Sequence, residues 1–388
     1  MTSNPFSLRR ARLRAELERL NLAGAFISDP NHFFYLTGFL PNKDFVSYLA
    51  LDRAGAAVAV VPFYGVDVSK QAPGAEQVDV IKYANLAMVD LDRYIDEFAE
   101  RDAAVREAAG RLGLLGKPLG VDAGYFSRRL AELLNVRQEQ TVDVGQFLMA
   151  QRVIKDEWEQ EQIAYTVRLN DVGFAATQAF LRPGVTDLQA FSVAWHAMAK
   201  ALGGVFDLHG EFSGGPAISG QGGASPFGQT LQQGDILIAD IYPVVHGYQA
   251  DTTRNFVIGK PARWQSELHE ILEDAQAQGE AAIRPGLPAA ELDRIVRGHL
   301  LKHAPAGAHT FHHMGHGVGI GVGKGAHCPP FIVPKSRDVL AEGMVLTLEP
   351  GLYLAGKGGM RLEDNYVVTK NGCRPLGTFP KKLAICAP

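Results

Sequence analysis

Apolar residues in the first 150 positions switch between helical spacing and short continuous runs. Leu13, Leu17 and Leu20 share one side of a helix predicted over residues 5–22. Runs of β-branched and aromatic residues between turn residues predict strands, and residues 29–31 predict a loop after the first of them. The other expected elements are helices over 92–112 and 126–134, and strands over 23–28, 47–51, 57–61, 78–81, 119–122 and 141–144. This alternation favours an α/β domain with a parallel or mixed sheet.

Beyond residue 150 the pattern changes to long helices that come in pairs. In each pair the first helix runs into Arg-Pro-Gly, a strong stop signal, and Thr186 is a candidate cap for the second helix of the first pair. The predicted pairs are 155–181 with 188–202, and 263–283 with 289–303. Glycine-rich β segments follow both pairs, so the sequence predicts an internal duplication and a two-fold α/β shell. We therefore expect two domains, over residues 1–150 and 151–388.

Composition narrows the class of protein. Hydrophobic residues make up 46% of the 388 residues, charged residues make up 21%, and the net charge is −4, as in ordinary soluble proteins. No basic field favours nucleic acid, and no apolar stretch reaches membrane-spanning length. Three cysteines cannot form a disulfide framework, and the N-terminus lacks a signal-peptide core. We expect a cytoplasmic protein with no nucleic-acid or membrane partner.

Candidate chemistry lies in the last third of the chain. Four acids each fall within an apolar, β-prone run: Asp240, Asp251, Glu349 and Glu363. Between the second and third of them in the chain, His316 lies in a Gly-His-Gly sequence. A carboxylate in such a run is partly buried, which is costly unless the charge is paired or bound to metal. Strand alternation gives Asp251, Glu349 and Glu363 a polar neighbour two residues away on the same face, whereas Asp240 closes a run of Ile and Leu. Glycines at 356–359 predict a hairpin that brings Glu349 opposite Glu363.

These five side chains offer oxygen and nitrogen ligands only. Such a set suits two divalent ions, with Mn²⁺ expected first and Co²⁺, Zn²⁺ or Fe²⁺ as alternatives. Without cations, four crowded carboxylates would repel one another and their pKa values would rise. One acid alone in a strand is usually a turn or surface residue. Five together predict a dinuclear metal site.

The ordered motifs resemble those of the pita-bread metallopeptidases, the relatives of aminopeptidase P, prolidase and creatinase. In the first half, Asp29-Pro30-Asn31 and Tyr35-Leu36-Thr37-Gly38-Phe39 are similar to the creatinase-type N-terminal domain, and Arg152-Val153-Ile154-Lys155 to the entry of the catalytic domain. The motifs of the second half are Asp240, Asp251-x-Thr253-Arg254, Gly315-His316-Gly317-x-Gly319, Glu349-Pro350-Gly351-x-Tyr353 and Arg361-x-Glu363-Asp364. The resemblance implies a creatinase-like α/β domain followed by a pita-bread, pseudo-two-fold α+β catalytic domain.

The resemblance also implies roles for individual residues. Asp240 would bind one metal, Asp251 and Glu363 would bridge, and His316 and Glu349 would hold the second. Glu349 would also carry protons. Three further side chains complete the expected catalytic set, namely His312, His327 and Arg361.

His312 and His327 would act on the substrate carbonyl. His327 departs from the family pattern, because it lies eleven residues after His316 instead of seven and precedes Cys328 instead of a glutamate. A Cys/His nucleophile at Cys328 is disfavoured, since adjacent residues of an extended segment face opposite ways. The family's upstream histidine is also missing: Phe227 stands near its place, and His209 lies further upstream.

We therefore expect a prolidase-like enzyme that hydrolyses Xaa-Pro dipeptides, acting as a homodimer. The alternatives are an aminopeptidase P that takes longer Xaa-Pro peptides, a creatinase-like hydrolase of other C–N bonds, and a metal-free binding module. Retention of all five ligand residues argues against the last two. The preference for proline comes from the resemblance alone.

Overall fold

The computed structural model describes residues 4–41, 44–63, 78–85, 90, 92–323 and 327–388. The chain forms two compact units. One contains Met1–Arg152 with Ile320–Lys324, and the other contains Val153–Gly319 with Gly325–Pro388. Across the described residues, no helix combines the length and the apolar character needed to cross a membrane.

A mixed sheet organises the described part of the first unit. The strands are β1 (Gly24–Ile27), β2 (Tyr48–Asp52), β3 (Ala57–Pro62), β4 (Asp79–Tyr83), β5 (Leu119–Val121) and β6 (Thr141–Asp143). Their order in the sheet is β4-β3-β2-β1-β5-β6, with β1 antiparallel to β2 but parallel to β5. The helices are α1 (Pro5–Arg19), α2 (Pro30–Thr37), α3 (Glu97–Arg111), α4 (Arg128–Leu134) and α5 (Gly145–Val153). This arrangement agrees with the α/β pattern predicted from the sequence.

The loop predicted at residues 29–31 is instead the start of helix α2. Asp29 is the N-cap, and its carboxylate accepts hydrogen bonds from the backbone N–H groups of Asn31 (2.7 Å) and His32 (3.3 Å). Pro30 fits the first helical position, because a proline there loses no helical hydrogen bond. The same residue types that mark a turn can therefore open a helix. Helix α5 was also not predicted.

Two helix pairs build the second unit. They are α6 (Glu157–Phe180) with α7 (Asp187–Leu202), and α9 (Arg263–Ala282) with α10 (Ala289–His303); the short α8 (Gly215–Ser219) lies between them in the chain. Both pairs were predicted. Each turn between paired helices contains a glycine with positive φ, Gly184 at 88° and Gly286 at 84°. A side chain would strain this backbone, which explains the repeated Arg-Pro-Gly.

Strands follow each helix pair, as the predicted duplication requires. The first sheet contains β7 (Asp207–Gly214), β8 (Ile236–Val245), β9 (Tyr248–Gln249), β10 (Thr252–Ile258) and β18 (Ala384–Cys386). The remaining strands are β11 (Gly315–Gly317), β12 (Cys328–Ile332), β13 (Val345–Leu348), β14 (Gly351–Leu354), β15 (Gly358–Arg361), β16 (Asp364–Thr369) and β17 (Gly372–Pro375). Within the described residues, the first sheet has the order β18-β10-β8-β7 with β9 on β8, the second has β12-β11-β13-β16-β17, and β14 pairs with β15.

Each helix pair covers one face of its sheet. Phe174 of α6 and Met198 of α7 are fully buried in one cluster with Phe212 of β7. Leu272 of α9 and Val296 of α10 are buried with residues of β12, β13 and β16 in another. Because strand side chains alternate, the face of β8 opposite α6 and α7 carries Ile236, Ile238 and then Asp240; the two isoleucines are buried in the second cluster.

Thr186→Ala should destabilise the protein through helix α7. The Thr186 hydroxyl accepts a hydrogen bond from the Gln189 backbone N–H (3.1 Å) in a capping box. Loss of such a cap costs about 1 kcal/mol, which lowers the thermal midpoint by about 2–4 °C in a unit of this size. Ser192→Ala, which removes an exposed hydroxyl inside the same helix, is the control and should change the midpoint little. Equal losses in both variants would contradict the capping role.

Candidate metal centre

Three neighbouring strands carry polar side chains at one register. Glu211 of β7 pairs with Asp240 of β8, and Asp240 pairs with Thr253 of β10. Directly opposed residues in antiparallel strands lie on the same face with Cβ atoms about 5 Å apart. The local sequence therefore places Glu211, Asp240 and Thr253 in a row. Glu211 was not identified from the sequence.

Asp251 lies in the break between β9 and β10. The side chain of Asn365 clamps its backbone: Nδ2 donates to the Asp251 carbonyl (2.5 Å), and the Asp251 N–H donates to Oδ1 (3.3 Å). These two hydrogen bonds hold the backbone at Asp251, between the end of β9 and the start of β10. The break lets the Asp251 carboxylate approach those of Asp240 and Glu363.

Glu349 and Glu363 flank the predicted hairpin, which is formed by β14 and β15. Leu348 pairs with Asp364 on one side of the two glutamates. On the other side, the Leu362 N–H donates to the Pro350 carbonyl (3.1 Å). These contacts hold the glutamates opposite each other at the mouth of the hairpin.

His316 reaches the same place from β11. Its backbone N–H donates to the Thr347 hydroxyl (3.1 Å), which in turn donates to Glu349 Oε1 (3.4 Å). Its ring Nε2 lies 3.6 Å from Asp251 Oδ2 and 3.7 Å from Glu349 Oε1. The other ring nitrogen, Nδ1, faces the Gly317 carbonyl at 3.1 Å. A backbone contact of this kind orients a ligating imidazole.

The five predicted ligand residues come together in two groups that share Glu363. Within each group, the potential ligand atoms lie within 4.8 Å of one another. One group is Asp240, Asp251 and Glu363; the other is His316, Glu349 and Glu363. All five side chains are buried. Two further groups overlap with these: Asp251 with His316 and His327, and Glu349 with His312 and His313.

Arg361 supplies a positive charge beside these carboxylates. Its Nη2 donates to Asp240 Oδ2 (2.5 Å) and to Glu211 Oε2 (3.0 Å). Its Nη1 donates to the Gly222 carbonyl (2.6 Å), and Nη1 also donates to the Tyr353 hydroxyl (3.3 Å). Arg361 was predicted as a catalytic residue. In the structure it positions two acids and one wall of the pocket.

The pKa directions reflect crowded, buried charge. Burial raises the pKa of Asp251 and of Glu363 well above the usual values, and the neighbouring carboxylates raise both further. Burial also raises the pKa of Asp240 to about 6, although Arg361 opposes the shift. For Glu349, burial raises the pKa, but the hydrogen bond with His313 and the nearby histidine charges outweigh it and lower the pKa to about 2. One guanidinium does not neutralise this cluster.

The donor set fits divalent cations. Asp240 Oδ1 is buried, and no described residue forms a hydrogen bond with it. Such an atom carries the full cost of desolvation unless a ligand satisfies it. Carboxylate oxygens with one imidazole are ligands for Mn²⁺, Co²⁺, Zn²⁺ and Fe²⁺. The unsatisfied carboxylate oxygen and the excess of buried negative charge thus both favour cations at this position.

The remaining predicted histidines lie around Glu349 and Asp251. His312 Nε2 is hydrogen-bonded to the Tyr353 hydroxyl (2.9 Å), and its Nδ1 lies 3.7 Å from Glu349 Oε2. His327 is more exposed, with Nε2 at 4.0 Å from Asp251 Oδ2. His313, which was not predicted as a site residue, lies closer to this glutamate, with its Nδ1 at 2.9 Å from Glu349 Oε1. Its position next to His312 in the sequence was the one feature from which a site role for His313 could have been predicted.

Three further residues singled out in the sequence lie elsewhere. Phe227 is 57% exposed, and His209 is exposed on β7 with its ring stacked on Tyr242. Neither of them lines the described pocket. The Cys328 thiol lies 3.6 Å from the Lys155 amine. The structure therefore places no upstream histidine at the described centre.

A cavity of about 410 Å³ opens over the centre. The predicted ligands and histidines line it, together with Glu211, Tyr242, Phe311 and the backbone of Gly222 and Gly223. Its volume is in the range of small-molecule sites. The arrangement combines a cation-binding wall, imidazoles and room for a small ligand.

Comparisons with known proteins agree with this architecture. Residues 161–370 match metallopeptidase family M24, and residues 9–154 match the creatinase/prolidase N-terminal domain. An uncharacterised peptidase of Bacillus subtilis, YqhT, is 26% identical over 96% of this chain and 99% of its own. The Xaa-Pro dipeptidase of Pyrococcus horikoshii is 30% identical over 69% of this chain and 75% of its own.

A solved structure has the same fold. The Xaa-Pro dipeptidase from Bacillus anthracis superposes with a TM-score of 0.80 at 23% identity, covering 98% of this chain and 99% of that one. The family match confirms the predicted resemblance and fold, and it implies a peptidase that uses divalent metal ions. The chain therefore belongs to metallopeptidase family M24, as a metallohydrolase with a creatinase/prolidase N-terminal domain.

Proposed function

We propose that this peptidase is a prolidase-like Xaa-Pro dipeptidase with two divalent metal ions. The sharing of Glu363 between two groups of ligand atoms is the observation that supports two ions. The Xaa-Pro dipeptidase of Pyrococcus horikoshii, named for its substrate class, supports the choice of bond. An aminopeptidase P that takes longer peptides is the alternative.

Five residues would hold the ions. Asp240 belongs to one group, His316 and Glu349 belong to the other, and Asp251 and Glu363 would bridge. Mn²⁺ is the proposed ion, with Co²⁺, Zn²⁺ or Fe²⁺ as alternatives. When bound, the ions would polarise the scissile carbonyl and lower the pKa of the attacking water.

The remaining steps fall to side chains of the pocket. Glu349 is the proposed proton carrier, because its carboxylate belongs to one ligand group and also lies near ring nitrogens of His312 (3.7 Å) and His313 (2.9 Å). His312 is the proposed hydrogen-bond donor to the oxyanion. Its Nδ1 faces the His313 carbonyl (2.6 Å) and its Nε2 faces the Tyr353 hydroxyl (2.9 Å), so the ring would exchange one of these partners for the substrate oxygen. His327, which is more exposed, is the second proposed donor. Arg361 would fix Asp240 and the pocket wall. The proposed homodimer and cytoplasmic location stay predictions.

Metal removal tests the class of mechanism. Because the proposed ligands are all oxygen or nitrogen donors, chelation should abolish hydrolysis of Ala-Pro and Leu-Pro, and Mn²⁺, Co²⁺ or Zn²⁺ should restore it. The panel should include Ala-Ala as the control for proline and Ala-Pro-Ala as the test for longer peptides. Full activity of a metal-free preparation would refute the proposal. Faster cleavage of Ala-Pro-Ala than of Ala-Pro would favour the alternative.

Asp251→Asn and Glu363→Gln test the proposed bridges. Each substitution removes one negative charge between the cations and preserves side-chain volume. We expect loss of one metal ion per chain and a rate at least about a hundredfold lower, as for lost metal ligands. Metal analysis and steady-state kinetics measure both effects. Two ions and near-normal rates in both variants would show that the ligand assignment is wrong.

His312→Ala and His316→Ala separate two roles within one motif. His316→Ala should lower metal content as well as rate, since its Nε2 faces Asp251 and Glu349. His312→Ala should keep both ions and lower the rate by about 10²–10³-fold, as for one oxyanion donor. His313→Ala is the neighbouring comparison, because its ring contacts Glu349. Equal metal loss in the first two variants would overturn this division.

A further inference from the structure

Glu211 is an acidic residue of the pocket that the metal centre does not account for. It lines the same cavity as the proposed ligands. Its carboxylate belongs to none of the groups of described residues whose ligand atoms lie within 4.8 Å of one another. Its side chain is 33% exposed, whereas that of Asp240 is 9% exposed. The carboxylate is therefore open to a ligand in the cavity.

The surrounding structure fixes this carboxylate next to Asp240. Both acids accept a hydrogen bond from the same atom, Arg361 Nη2, so their oxygens are close neighbours. Glu211 lies on edge strand β7, one strand spacing beyond Asp240. A Cβ added to Gly223 would lie 2.0 Å from Glu211 Oε2, so the backbone of this glycine packs directly on the carboxylate. Glu211 is held in place by neighbours on two sides.

Only one oxygen of Glu211 is engaged. Among the described residues, Arg361 is the one hydrogen-bond donor to this side chain, and it contacts Oε2. An ionised carboxylate has acceptor capacity at both oxygens and favours a cationic donor. The exposed ring of Phe311 and the half-buried ring of Tyr242 also line the cavity, and aromatic faces attract cations. This end of the pocket suits a positively charged group.

We propose that Glu211 is a specificity-determining residue that binds a cationic nitrogen of the substrate's N-terminal residue. The inference rests on the proposed function, which places the scissile carbonyl at the ligand groups beside Asp240. The α-ammonium group of a free peptide lies two bonds from that carbonyl carbon. The side chains of Lys and Arg also end in a cationic nitrogen, which lies several ångströms further from the carbonyl carbon. Either nitrogen would donate to the free oxygen of Glu211.

Glu211→Gln is the central test, because it removes the charge and preserves the volume. We expect KM for Xaa-Pro dipeptides to rise about 10- to 100-fold, the scale of one charge-assisted hydrogen bond, with metal content unchanged. Glu161→Gln, an equal change of charge at an exposed site on α6, is the matched control. Glu211→Asp retains the charge and should recover part of the affinity.

Calorimetry with L-leucinamide, L-lysinamide and N-acetyl-L-leucinamide measures the same contact without hydrolysis. Equal weakening of the first two in Glu211→Gln identifies the α-ammonium group as the ligand. Weakening of lysinamide alone identifies the basic side chain. The acetylated amide, which has no cationic nitrogen, should be unaffected by the substitution.

Three results would overturn the inference. They are unchanged KM and amide affinity in Glu211→Gln, loss of metal from that variant, and an equal fall in kcat for all dipeptides with amide affinity unchanged. Absence of Xaa-Pro cleavage by the unaltered protein would refute only the proposed function. Glu211-dependent binding of leucinamide or lysinamide would still establish the cation site in that case.

Discussion

Repulsion among buried carboxylates is the constraint on which the catalytic unit depends. Asp240, Asp251, Glu349 and Glu363 line one cavity, and Arg361 is the guanidinium that faces them there. Burial and mutual repulsion raise the pKa values of Asp251 and Glu363. Charges of this kind remain in a folded interior only when partners or metal ions compensate them. The rest of the unit is arranged to supply that compensation.

Neutral polar residues orient the acids without adding charge. The Thr253 hydroxyl donates to Glu363 Oε2 (2.8 Å), and the Thr347 hydroxyl donates to Glu349 Oε1 (3.4 Å). Asn365 clamps the backbone of Asp251. These residues stand one or two positions from an acid in the chain or opposite one in the sheet. Strand alternation and cross-strand pairing thus place Glu349, Glu363 and Asp251 close to the neutral polar groups that orient them.

Local patterns in the sequence were sufficient for most helices and for the five proposed ligands. Long amphipathic runs that end in Arg-Pro-Gly identify α6 and α9, and acids within apolar β runs stand out because their burial is costly. Strand β7 was missed, since its sequence, Asp207–Gly214, carries two glycines and few apolar residues. Glu211 was missed with it. The position of Glu211 in the pocket follows from its pairing with Asp240 across the sheet. Such pairing joins residues far apart in the chain, so local sequence patterns do not predict it.

The row formed by Glu211, Asp240 and Thr253 depends on the alignment of three strands. A slip of one residue in β7 would turn Glu211 toward the helices and bring Gly210 or Phe212 to the cavity face. The same slip in β10 would replace Thr253 with Thr252 or Arg254. Fully buried neighbours such as Phe212 and Phe256 make that slip costly. A misaligned molecule would keep its helices and much of its compactness, yet lose the ordered set of acids. Bound metal per chain is therefore a stricter measure of correct folding in this protein than its helix content.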